Sequence, residues 1–149
     1  MDSRIATYEH IQTVQRLMTQ VQCYLNQRSE DHDQSKLVSP EKEVFDKFTP
    51  KLATSTYGSE EYKGFLAAMK PALDHHYAKN SHHPEHYENG IQGMSLLDLI
   101  EMLCDWKAAT MRHNDGDLAK SIEINQKRFG YSEELKGILI NTAKEMGFI

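Results

Sequence analysis

Cysteine is scarce in this chain. The two residues, Cys23 and Cys104, lie far apart, form no CxxC pair, and each falls in an apolar helical pattern that suits a buried free thiol. A reducing compartment is the expectation. No run approaches the ~18 apolar residues needed to span a bilayer, and the start, MDSRIATYEH, lacks a charged-then-apolar signal pattern. Both absences argue for a cytoplasmic protein with no membrane partner. A basic stripe is missing too: the formal charge is −5, with acids and bases interleaved, which argues against duplex nucleic acid as a partner. No Rossmann or P-loop glycine pattern provides a phosphate cradle, and no alternating strand pattern, internal repeat or low-complexity tract occurs.

What is present is helical periodicity. The 149 residues suffice for one domain with a real core. Ile5, Tyr8, Ile11, Val14, Leu17, Met18, Val21 and Leu25 recur at spacings of mostly three and four, predicting a long helix over 4–27 with His10 on its inward side. A shorter helix is expected over 28–37. Ser39-Pro40 reads as a cap and first-turn proline opening a helix over 40–52, and TSTYGS reads as a turn. Ser59 caps the next helix, with a kink or break expected at Pro71. Residues 80–94 read as a loop, and Ser95 with Asp98 has the spacing of a capping box opening a central helix. NDGD breaks that helix; two more follow over about 117–128 and 132–146, separated by Gly130. The fold class is all-α, a single domain of six to seven helices. Seven methionines and the leucine-rich stretch 94–103 suit core packing, with a homo-oligomer interface as their other use.

The most unusual stretch is DHHYAKNSHHPEHY, Asp74 to Tyr87, which holds five of the eight histidines: His75, His76, His82, His83 and His86. Neutral imidazole is the commonest protein ligand for a transition metal. Outside the cluster, His10, the pair His32-Asp33 and Asp105 are the companions of interest. Each has an ordinary reading as well. His10 alone suits a satisfied core histidine, Asp33 a charged surface, and Asp105 the acidic row Asp98, Glu101, Asp105 at i, i+3 and i+7. The cluster could be a solvated polar loop, but Tyr77, Pro84 and Tyr87 set it apart from plain repeat.

Taken in order, His10, His32-Asp33, the paired histidines and Asp105 resemble the HD-domain metal-dependent phosphohydrolases. HDQSK is similar to that family's His-Asp-x-Gly-Lys, with Ser35 in place of glycine and Lys36 where it would face a phosphate. HHPEHYENGIQGMSLLDLIEMLCDWKAAT resembles the portion of the cyclic-dinucleotide phosphodiesterase branch that runs from His-His-x-Glu through a glycine turn to Asp and Ala-x-Thr. The Gly-Tyr-Pro signature of that branch is absent, with NGIQG in its place, and the interval from His76 to His82 is shorter. Within the superfamily, the chain is most similar to a phage and bacterial family of unknown function marked by HHYAKNSHHPEHY and DLIEMLCDW. The resemblance implies an HD-like bundle and a nucleotide or deoxynucleotide phosphate as substrate.

Physically, His32 and Asp33 as successive helical residues about 100° apart could share one ion with His10 and Asp105 from facing helices. Such a two-His, two-Asp set leaves open positions and suits Mn²⁺, Fe²⁺ or Co²⁺, with Zn²⁺ also compatible. A second ion would be held by Asp33 as a bridge with His76 and His82, the alternatives His75 and His83 staying open. The other histidines of the loop, His86 included, would steady ligand rings or carry protons, and Glu85 would share that work. Metal-activated water would attack phosphorus, with Lys36, and Arg112 or His113 one or two helical turns beyond Asp105, holding non-bridging oxygens, although Arg112 also suits a plain helix C-terminal cation. Two other functions fit the same residues: a mixed-valent di-iron oxygenase, and a non-catalytic protein that sequesters a nucleotide.

Overall fold

A computed structural model of the chain describes residues 3–55, 59–112 and 116–149. All regular structure among them is helical, in six α-helices and three short 3₁₀ turns. None of these helices is long and apolar enough to cross a membrane. Two compact units make up the chain, Met1–His32 and Asp33–Ile149.

The first unit is one helix, α1 (Ser3–Asp31). It swallows the start of the separate helix expected over 28–37; the remainder of that stretch is a 3₁₀ turn, Gln34–Leu37. A lone helix has no inside, and no residue of α1 is buried. His10, expected on an inward side, is exposed for that reason. Cys23 is exposed as well, and so is Cys104, contrary to the buried thiols the pattern suggested. Cys104 shares its helix face with the exposed Ile100 and Ala108, while Met102 and Leu103 turn inward.

The second unit holds α2 (Glu41–Thr54), α3 (Glu60–Lys79), α4 (Leu96–Thr110), α5 (Leu118–Phe129) and α6 (Glu133–Glu145). Local chemistry sets most boundaries. Ser59, Asp117 and Ser132 each accept an N–H from three residues on, at 3.1, 3.0 and 3.2 Å, satisfying donors that a helix start leaves open. Ser95 and Asp98 form the reciprocal capping box at the start of α4. Gly130, at φ 67°, closes α5 in the left-handed conformation that glycine adopts without strain. Pro40 rather than Ser39 occupies the cap position of α2, and the Ser39-Pro40 bond is cis. At Pro71, where a kink or break is expected, α3 continues without a break. Half of the turn expected at TSTYGS, residues 56–58, and half of the break at NDGD, residues 114–115, lie outside the described residues.

The core forms where α4, α5 and α6 meet: Leu103, Leu118, Ile122, Tyr131, Leu139 and Ala143 are buried together, with Trp106 and Phe129 stacked beside them. Each large aliphatic side chain buried there contributes about 1.5–3 kcal/mol. Met69 and Met102 are also buried, the core use expected of methionine. Helix α2 packs on α3, with Phe48 against Phe65 at 6.0 Å between ring centroids. Between α3 and α4 runs the histidine-rich loop, folded through 3₁₀ turns at Pro84–His86 and Gly90–Gly93. At Gly93 the chain folds back so closely that a Cβ would lie 2.7 Å from that of Tyr87.

Candidate metal centre

Asp98 fastens this loop to the start of α4. Its carboxylate accepts from Ser81 Oγ at 2.7 Å and from Tyr87 OH, Ser95 N–H and Ser95 Oγ at 2.8 Å each. Burial alone would raise its pKa, but the hydrogen bonds from Ser81, Ser95 and Tyr87 outweigh burial and hold it well below the usual carboxylate range. The loop is thereby tied down at both ends and in its middle. That is what gives His82 and His83 fixed places.

Asp33 approaches from the other side. Its backbone is left-handed, φ 57°, a conformation that aspartate tolerates better than most residues, so the pair His32-Asp33 is a turn and not the two successive helical residues expected. His32 ends the first unit and Asp33 begins the second. Lys36, one 3₁₀ turn on, places Nζ 2.6 Å from Asp33 Oδ2. Asp33 Oδ1 then faces His76 Nε2 at 3.3 Å and His82 Nε2 at 3.6 Å. His83 Nε2 lies 3.0 Å from His76 Nε2. One ligand atom from each of Asp33, His76, His82 and His83 falls within 4.8 Å of the others.

The far sides of the rings meet carboxylates. Glu41, fully buried at the first position of α2, takes His75 Nδ1 on Oε1 at 2.7 Å and His76 Nδ1 on Oε2 at 2.9 Å. Ser35 Oγ donates to the same Oε2 at 3.0 Å and receives Asn80 Nδ2 at 2.9 Å. Burial would raise Glu41, yet hydrogen bonds from His75, Ser35 and His76 bring it below its ordinary value. On α4, Glu101 Oε1 lies 2.9 Å from His82 Nδ1, and Asp105 Oδ2 lies 4.0 Å from His82 Nε2. Burial, followed by the adjacent His82 and His76, lowers His83 to about 3, so its ring is neutral at physiological pH.

This geometry sorts the residues nominated from sequence. Asp33, His76 and His82 come together, with Asp105 beside them. His83 joins the group itself rather than standing behind it, so of the pair His82/His83 both are present. His75 turns away onto Glu41. Two nominees lie elsewhere: Glu85 pairs with Arg128 at 2.7 Å on the surface, and His86 is exposed with Nδ1 2.8 Å from the Tyr77 carbonyl, bracing the loop on α3. Neither Glu85 nor His86 belongs to the four-residue group, because the 3₁₀ turn at Pro84–His86 carries both outward. Arg112 is exposed past the last turn of α4, where a cation suits the helix C-terminus. His113 lies outside the described residues.

Glu41 is absent from the sequence reading, and Glu101 enters it only as a member of an acidic row. For Glu41 the sequence holds no signal, since a carboxylate in a first helical turn ordinarily serves the exposed amides there. For Glu101 a signal existed: its i, i+4 relation to Asp105 places both on one face of α4.

The matching family model covers residues 1–146. The chain belongs to the family of unknown function DUF5662. No curated protein and no solved structure matches it. Because the DUF5662 description assigns no activity, the chemistry has to be argued from the donors themselves. Three imidazoles and one carboxylate form a donor set of borderline softness, suited to zinc, iron, cobalt or manganese rather than to calcium or magnesium, which prefer oxygen. The residues fit such an ion.

Proposed function

We propose that this DUF5662 chain is a metal-dependent hydrolase acting on a small phosphorylated molecule, a nucleotide or deoxynucleotide being the leading class. The observation that carries the reading is the convergence of His76 Nε2 and His82 Nε2 on Asp33 Oδ1, at 3.3 and 3.6 Å, with His83 alongside. Asp33, His76, His82 and His83 would hold a divalent transition metal. Such an ion supplies Lewis acidity and lowers the pKa of a bound water toward neutrality.

The chain's own residues supply the rest. Lys36 Nζ holds Asp33 Oδ2, which leaves Oδ1 directed at the rings. Lys36 keeps 33% of its side chain exposed, so it is also a cation that an incoming phosphate oxygen can reach. Asp105 Oδ2, 4.0 Å from His82 Nε2 and 26% exposed, would accept a proton from the attacking water. Asp98 fastens the loop to the start of α4 by its four hydrogen bonds. The histidine-rich donor set also favours one second reading, an iron-dependent oxygenase, because imidazole suits iron as well as zinc.

The test is elemental analysis of tag-free protein beside folded His76→Ala, His82→Ala and Asp33→Asn variants, followed by a screen of nucleotide phosphates. About one equivalent or more of a transition metal, lost in the variants together with phosphate release, is the expected result. O₂ consumption in place of phosphate release would favour the oxygenase. Below about 0.2 equivalents in every protein, unrestored by added Mn²⁺, Fe²⁺ or Zn²⁺, the metal reading is wrong.

A further inference from the structure

We infer that Glu41 and Glu101 are positioning residues that fix the ring protons of His76 and His82 at Nδ1, so that both rings present the Nε2 lone pair toward Asp33 Oδ1. The consequence for metal affinity rests on the reading of the cluster as a metal site; the tautomers rest on hydrogen bonding alone.

An ionised carboxylate can only accept hydrogen bonds. Glu41 Oε2 at 2.9 Å from His76 Nδ1, and Glu101 Oε1 at 2.9 Å from His82 Nδ1, therefore call for a proton on each of those nitrogens; Asn80 Nδ2, 3.0 Å from His76 Nδ1, gives its two hydrogens to Ser35 Oγ and the His76 carbonyl instead. In a neutral imidazole the other nitrogen is then an acceptor. His76 Nε2 and His82 Nε2 lie 3.3 and 3.6 Å from the same oxygen of Asp33, and His76 Nε2 as an acceptor also takes the Nε2–H of His83 at 3.0 Å in the metal-free protein. Lone pairs directed at a carboxylate oxygen repel one another, and a cation among them turns that repulsion into attraction.

Glu41 is fixed in its turn. Its other oxygen holds His75 Nδ1 at 2.7 Å, and Ser35, itself receiving Asn80 Nδ2 at 2.9 Å, donates to Oε2. His75, with 34% of its side chain exposed, thus acts on the outer side of Glu41, not on the cluster. The same logic explains two adjacent histidines with different tasks: His76 points inward from α3 to the centre, and His75 keeps the carboxylate that aims it. Glu101 is less enclosed, at 14% exposure, with Oε1 2.9 Å from His82 Nδ1.

The experiment is long-range ¹H–¹⁵N NMR on metal-free protein labelled at histidine, which distinguishes the two neutral tautomers from imidazolium, with His76→Ala and His82→Ala spectra giving the assignments. Zn²⁺ titration against a competing chelator accompanies it, on wild type and on Glu41→Ala, Glu41→Gln, Glu101→Ala and Glu101→Gln. Neutral Nδ1–H rings at both positions, with Zn²⁺ affinity about 10–100-fold weaker in the alanine variants and partly restored by glutamine, support the inference. Nε2–H or imidazolium at His76 or His82 in wild type overturns it, and that readout does not depend on any variant folding. Unchanged Zn²⁺ affinity in folded alanine variants also overturns it. Nδ1–H rings in a protein that takes up no Zn²⁺ would support the tautomers and reject the metal site, which keeps the two failures apart.

Discussion

Replacing Asp98 by asparagine removes one charge and changes the shape of the side chain by almost nothing. The carboxylate accepts four hydrogen bonds, three on Oδ2 and one on Oδ1. Asparagine can keep the three around a carbonyl oxygen and turn its amide toward Ser81, whose hydroxyl can reverse. What it loses is charge assistance: bonds to an ionised group contribute about 1.5–3 kcal/mol each and neutral ones about 0.5–1.5. Roughly 1 kcal/mol per bond, less the relief of no longer burying a charge, leaves a net loss of about 2 kcal/mol. For a chain of this length, that lowers Tm by roughly 4–8 °C at pH 7. The difference should itself depend on pH. Asp98 is depressed in the folded protein, so its contribution is complete above the unfolded value near ~3.9 and fades as pH falls toward the folded value. The gap between wild type and Asp98→Asn, followed by circular dichroism melts, is constant from pH 7 to about 5 and narrows below about 4. A variant that melts within about 1 °C of wild type at pH 7, or a gap that widens in acid, would refute the assignment of Asp98 as the clasp of the loop.

Tyr131→Phe tests the core in the same way: its buried hydroxyl donates to the Ile122 carbonyl at 2.5 Å, and burial pushes the phenol up to about 12. Loss of that donor should lower stability by about 1–2 kcal/mol in urea melts, with an unchanged slope. Glu85→Gln tests where the candidate site stops. Its surface pair with Arg128 should contribute less than about 1 kcal/mol, and Zn²⁺ affinity should stay within about twofold of wild type; a tenfold loss would return Glu85 to the site.

The helix boundaries that sequence reading placed well are those decided by one or two neighbouring residues. Ser59, the Ser95-Asp98 box and Gly130 act within three or four positions, so their pattern is complete in the local sequence. The errors arise where the deciding partner is remote or missing. The stripe on α1 has the period of a packed helix, but periodicity names a face without naming what covers it. His10 and Cys23 were read inward on that basis. Asp33 shows a different failure: a left-handed aspartate is permitted in many sequences and dictated by few, so the end of α1 at Asp31 left no mark in the residues.

The candidate site divides along the same line. Histidines at 76, 82 and 83 sit at one helix end and in the loop that follows it, so their proximity is close to a property of the sequence itself. The carboxylates facing them arrive from α2 and α4, and only the packing of those helices decides that Glu41 is buried while Glu85 pairs with a surface arginine. Asp98, Glu101 and Asp105 make the point within a single helix. They look like one solvated acidic row, yet one clasps the loop, one holds His82 Nδ1 and one lies near His82 Nε2. A row of like charges on a helix surface is unfavourable by a few tenths of a kcal/mol per neighbouring pair. Around the loop that repulsion is met by hydroxyl and imidazole groups, Ser81, Tyr87 and Ser95 on Asp98 and His82 on Glu101, so a row that reads as solvated in the sequence is partly covered by the loop it faces.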